Sequence, residues 1–293
     1  MQQRPNIVFY FSDQQRWDTL GCYGQRLDVT PNLDALAAGG TRYENAFTCQ
    51  PVCGPARACL QTGRYATEIG CEINGFALPF GRVKTLAQCF NEAGYATGYV
   101  GKWHLATDRL AGIDYEQSAI PAERRGGYKD YWMAADVLEF TSHGYNGYVY
   151  NADNERVPFV GYRADCINNF AIDFLHGRKE QVEPFFLFIS QIEPHHQNDR
   201  RRYEGPDGSR AQFADFQPPG DLAACSRACA QGTDVSNWRE NYPDYLGCCH
   251  SLDYNVGRLV DTLKEQGMWE NTILVYTADH GSHFLTRGRE AEY

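Results

Sequence analysis

Four short apolar runs constrain this 293-residue chain more than any other feature. They cover residues 6–11, 95–100, 185–192 and 272–277. Each is rich in aromatic or β-branched residues, and each gives way to polar residues at its C-terminal end. Continuous runs of this length read as strands buried on both faces, which occur mainly in parallel sheets. Helical patterns alternate with them. Thr30-Pro31 opens one that Gly39-Gly40 closes, and Thr85 opens another that Gly94 closes. Residues 165–175 place Ile167, Phe170, Ala171, Phe174 and Leu175 on one face. Pro243 reads as the start of a long helix to about Gln266, with Leu246, Cys249, Leu252, Val256, Leu259, Val260 and Leu263 in a stripe. This alternation predicts an α/β fold: a mixed, mostly parallel sheet with helices on both faces.

The remaining segments are harder to place. Residues 42–48 read as a further strand. Residues 106–162 shift toward Gly, Tyr and charged side chains. They read as an excursion from the sheet, either overhanging a site with sugar-binding aromatic faces or packing on itself at the surface. Residues 197–242 read as a second long polar loop.

Composition narrows the function classes. With 43% hydrophobic and 22% charged residues, the chain suits one large soluble α/β domain or two small ones. A net charge of -10 argues against a general nucleic-acid binder but leaves room for a local basic pocket. No run approaches a membrane span and no leader is visible. A cytoplasmic location, and a periplasmic or secreted one after leader removal, both stay open. The eleven Cys have no C-x-x-C pair, so Cys59, Cys225, Cys229 and the Cys248-Cys249 pair read as reduced core thiols.

Open α/β sheets bind ligands beyond the C-terminal ends of their strands. The residues there are Asp13-Gln14, Gly101-Lys102-Trp103-His104, Glu193-Pro194-His195-His196 and Asp279-His280-Gly281. Away from the runs stands Cys53-Gly54-Pro55-Ala56-Arg57, followed by Thr62-Gly63-Arg64. Pro55 suits the first turn of a helix, which puts residue 53 at a helix N-terminus. Free N–H groups and the dipole favour an anion there. Taken singly, Asp13 could cap a helix starting near Gln15, and Cys53 could be a small buried residue.

Together these strings resemble the type I sulfatases of the alkaline-phosphatase-like superfamily. The resemblance rests on C-x-P-[S/A]-R with T-G-[R/K], on T-P-N-L-D-x-L-A at residues 30–37, on G-K-W-H and on the D-H-G block. It implies that a formylglycine-generating enzyme oxidises Cys53 to formylglycine, whose hydrate supplies the hydroxyl that attacks sulfur. Arg57 would hold that hydrate. Asp13, Gln14, Asp279 and His280, with residue 53, would bind a divalent metal: Ca²⁺ by family precedent, with Mn²⁺ or Mg²⁺ as alternatives. Lys102, His104 and His195 would face the ester. The implied reaction is hydrolysis of a sulfate monoester, a small anionic substrate of the kind carried on carbohydrates, with no nucleic-acid or membrane partner. Related phosphonate monoester hydrolases share the Gln-plus-His pattern with C-G-P-A-R, so a phosphonate or phosphate esterase is the alternative. Family members continue past the D-H-G block into another active-site Lys, further strands and a smaller C-terminal domain. Residues 1–293 are therefore expected to be an incomplete N-terminal catalytic domain, and an inactive anion-binding remnant is a further possibility.

Overall fold

A computed structural model describes residues 4–224 and 237–284. The expected α/β architecture is present, built on a seven-stranded sheet. Its strands are β1 (Asn6–Ser12), β2 (Ala96–Lys102), β3 (Tyr131–Ala135), β4 (Asn146–Asn151), β5 (Arg156–Val160), β6 (Phe185–Ser190) and β7 (Thr272–Ala278). The order is β5-β4-β3-β2-β6-β1-β7. The five strands from β3 to β7 in that order run parallel, while β4 and β5 form an antiparallel margin. Helices α1 (Pro31–Gly39), α2 (Cys53–Thr62), α3 (Ala66–Ile69), α4 (Leu86–Glu92), α5 (Leu138–Thr141), α6 (Arg163–Gly177), α7 (Ser209–Gln212), α8 (Gly220–Ala224) and α9 (Trp238–Glu265) connect them.

Strand periodicity divides the core into two faces. On one face Val8, Tyr10, Leu187 and Ile189 pack with Leu33 of α1, Ile167 and Ala171 of α6, and Leu252 and Val256 of α9. On the other, Phe11, Tyr99, Phe186 and Phe188 pack with Ala58 of α2 and Ala87 of α4. The second face is an aromatic layer in which Phe188 stacks on Phe9 at 4.9 Å and on Tyr99 at 5.2 Å between centroids. A third cluster, with Trp238, Tyr242, Tyr245, Phe213 and Phe284, anchors the start of α9.

Three expectations are corrected. Residues 42–48 form no strand and are exposed throughout; Tyr43 and Phe47 are 71% and 89% exposed. With neither burial nor a partner strand, β-prone side chains do not make a strand. The 106–162 segment is not an excursion from the sheet, because β3, β4 and β5 extend the sheet from within it. Helix α9 starts at Trp238, not Pro243. Asn237 accepts a hydrogen bond from the Glu240 N–H, and burial of Trp238 and Tyr242 carries the helix through the proline. Cys59, Cys248 and Cys249 are buried, as expected of core thiols; all nine described cysteines are free, and Cys49 and Cys89 among them are exposed. Cys225 and Cys229 lie outside the described residues.

Candidate active site

The parallel strands bring their C-terminal ends together, and the polar strings follow directly. After β1 and β7, the Asp279 N–H bonds the Ser12 carbonyl at 3.2 Å, and the Gln14 N–H bonds Asp279 Oδ1 at 2.9 Å. Gly101, next to last in β2, has φ +100°, and a Cβ there would lie 1.9 Å from the Ser190 carbonyl oxygen. Only glycine lets β2 pass β6 so closely and deliver Lys102. Beyond β6 the chain passes a cis Glu193–Pro194 bond to His195. Helix α2 begins at Cys53 with no side-chain cap from Val52; the Gly54 N–H is instead held by Asn74 Oδ1 at 2.8 Å, and the helix start sets Cys53 at the site.

Cys53 is the meeting point. It is buried, with Sγ 3.5 Å from Asp13 Oδ1 and 3.2 Å from His280 Nε2. His280 donates Nδ1–H to the Gly281 carbonyl at 2.8 Å, which turns Nε2 toward Cys53. One turn along α2, Arg57 reaches Asp13 at 2.8 Å, Asp279 at 3.5 Å, the Ser190 hydroxyl at 2.6 Å and the Lys102 carbonyl at 3.0 Å. Lys102 Nζ lies between Asp13 Oδ2 at 2.9 Å and Glu139 Oε1 at 3.1 Å. Its expected approach to an ester is thus shared with two carboxylates. The imidazole that touches Gln14 is that of His196, 3.3 Å from Oε1. His195 is buried alongside, its ring stacked on His196 at 4.6 Å.

Electrostatics sets the two aspartates apart. Burial would raise Asp13, but Lys102, His195, Arg57 and His280 hold it well below the usual carboxylate range. Burial and then the charge of Asp13 push Asp279 up. Asp279 Oδ2 is buried without a hydrogen bond. The ligand atoms of Asp13, Cys53, Asp279 and His280 lie within 4.8 Å of one another. Two facing carboxylates, one under-compensated, together with an imidazole nitrogen, fit a divalent cation. His104, at φ +59°, is pushed down to about 3 by burial and by Lys102, so its ring is neutral. Its Nδ1, Arg57 Nε and Glu139 Oε2 are also buried without hydrogen bonds. Buried polar atoms without protein partners are uncommon, and these four belong to residues of one cluster of strand and helix ends.

The sequence did not point to Glu139. It lies in the short helix α5, inside the segment read as an excursion, and no spacing links it to Lys102. The buried Arg163–Glu193 pair at 2.9 Å was missed as well. With Gln197, which Arg163 reaches at 3.2 Å, it ties the His195 turn to α5, because Gln197 Nε2 donates to the Glu139 carbonyl at 2.8 Å.

Comparison with known proteins gives a consistent result. A family model described as Sulfatase matches residues 5–292. The chain is 34% identical over 301 residues to the uncharacterized sulfatase YidJ of Escherichia coli (strain K12), covering 95% of this chain and 57% of that protein. It is 27% identical over 346 residues to the N-acetylglucosamine-6-O-sulfatase of Bacteroides thetaiotaomicron, covering 95% and 58%. The yidJ crystal structure from Bacteroides fragilis superposes with a TM-score of 0.78 at 30% identity, over 96% of this chain and 63% of that one. The chain thus spans little more than half the length of the curated relatives it matches.

Proposed function

Because this chain belongs to the sulfatase family, we propose that it is the N-terminal catalytic part of an enzyme that hydrolyses a sulfate monoester, with residue 53 as the nucleophile after oxidation to formylglycine. The observation that carries this reading is the convergence of Cys53 with Asp13 and His280, from the opposite ends of the chain, within 3.5 Å. The thiol stands where an oxygen of the oxidised, hydrated residue would stand. The relative that acts as an N-acetylglucosamine-6-O-sulfatase supports a sulfated sugar as the substrate class.

Asp13, Gln14, Asp279 and His280, with residue 53, are the residues that would hold a divalent cation, Ca²⁺ in our reading. Such a cation supplies a Lewis acid that neutralises anionic ester oxygens, and the hydrated formylglycine supplies a hydroxyl nucleophile. The chain's own groups do the rest. Arg57, fixed by Asp13 and Ser190, orients residue 53. Lys102, whose charge is secured because Asp13 and Glu139 outweigh its burial, faces the sulfate oxygens. The neutral His104 offers Nδ1 to a residue 53 hydroxyl. His195 delivers a proton to the leaving alcohol oxygen.

The test is peptide mass mapping of residue 53 after co-expression with a formylglycine-generating enzyme, followed by matched aryl sulfate and aryl phosphonate assays. Conversion of Cys53 with sulfate turnover is the expected outcome. Preferential phosphonate turnover would move the protein to the phosphonate hydrolases, and an unconverted Cys53 would leave an anion-binding remnant. Conversion without turnover would mean that chemistry needs more than these residues.

A further inference from the structure

Five charged side chains meet at the strand ends through ion pairs. Asp13 meets Arg57 and Lys102, Asp279 meets Arg57, and Glu139 meets Lys102. All five are buried. Three are anionic and two cationic, and the imidazoles of His195 and His280 stand beside them. The neighbouring carboxylates Asp136 and Glu193 are otherwise engaged. Asp136 accepts the N–H groups of Leu105, Ala106 and Thr107, and Arg163 cancels Glu193.

Two of the three carboxylates, Asp13 and Asp279, belong to the cation cluster; Glu139 does not. Burial would raise Glu139, but Lys102 and then His195 hold it down to about 2, so it is ionised. A buried negative charge beside a pocket for an anion opposes that anion. Packing does not require the charge, since glutamine fills the same space and can accept the same hydrogen bond from Lys102.

We propose that Glu139 is a specificity-determining residue that removes one unit of positive charge from the pocket and so selects singly charged esters over doubly charged ones. This rests on the sulfatase reading above. The Glu139 charge repels a doubly charged ester about twice as strongly as a singly charged one at the same place. Without Glu139 that added penalty on a phosphate monoester dianion is removed.

The experiment compares wild type, Glu139→Gln and Glu139→Asp in calorimetric binding of benzenesulfonate and phenylphosphonate, above the second phosphonate ionisation. The two ligands differ little in shape and by one charge. Glu139→Gln is expected to shift the affinity ratio toward phenylphosphonate by roughly tenfold or more, while Glu139→Asp keeps the wild-type ratio. The kcat/KM ratio for aryl phosphate over aryl sulfate should move the same way. Equal weakening of both ligands in Glu139→Gln would make the residue merely structural and overturn the inference. So would a wild type that prefers phenylphosphonate, whether or not the variant folds. If wild type still hydrolyses aryl sulfate, the sulfatase reading survives that loss. A wild type that neither binds these anions nor hydrolyses the ester overturns both.

Discussion

Asp13 and Asp279 face the same buried space, but Asp13 has Arg57 at 2.8 Å and Lys102 at 2.9 Å, whereas Asp279 has Arg57 at 3.5 Å and the His280 ring at 3.7 Å. Asp279 Oδ1 accepts the Gln14 and His280 N–H groups, and Oδ2 accepts none. Asp279→Asn keeps the first oxygen and removes the charge. It should therefore raise the melting temperature of the chelated protein, by about 1 kcal/mol of stability, and abolish the further rise on adding Ca²⁺. Scanning fluorimetry in EDTA and in CaCl₂ measures both, and an unchanged response to Ca²⁺ would remove Asp279 from the cation site. Glu139 gives a pH dependence of determinate sign. Its folded value is depressed from 4.5 to about 2, so its stabilising effect is full above 4.5 and is lost as pH falls toward 2. The stability gap between wild type and Glu139→Gln in urea titrations should close over that window. A gap that widens on acidification would contradict the Lys102 pairing.

At the scale of elements, strand ends were legible and margins were not. Strands β1, β2 and β6 lie inside the parallel part of the sheet, so their apolar runs are nearly unbroken and can be read directly, whereas β7, expected to be buried on both faces, is a partly exposed edge strand that keeps its apolar run along a full-length pairing with β1. Strands β4 and β5 are half exposed, with Tyr, Asn and Gly in place of such runs, and their pairing depends on β3. The start of α9 was hidden because Pro243 resembles a first-turn proline, while the anchor, Trp238 and Tyr242 in an aromatic cluster, is tertiary. Asp13, Cys53, Lys102 and Asp279 lie at or next to a strand or helix terminus that local pattern could locate, while Arg57 follows one turn into α2 and His195 lies five residues past β6. Glu139 could not be found because its partner lies 37 residues away across the sheet. Gly101 is the element-scale test. Gly101→Ala forces β2 away from the Ser190 carbonyl, in a backbone conformation that L-residues resist. It should cost several kcal/mol in chemical denaturation, or else displace Lys102 and raise KM strongly. A variant with wild-type stability and kinetics would show that the close approach is dispensable.

Across the whole molecule, the first strand is held between the last two. Tyr10 pairs with Ile189 on one side and Tyr276 on the other. A chain ended after Gly267 lacks β7 and leaves the β1 edge bare, so it should give little soluble protein and no native near-UV dichroism. A soluble, native-like product would mean that β7 is peripheral to folding. The same topology acts during synthesis. Strand β1 must wait for β6 and β7, which are made far later, before its residues are enclosed, and such long-range pairing is slow. Cys53 is almost completely shielded once enclosed. On our reading of residue 53, the time open to a modifying enzyme is then set by the ribosome: it begins when residue 53 emerges and closes when β7 takes its place beside β1.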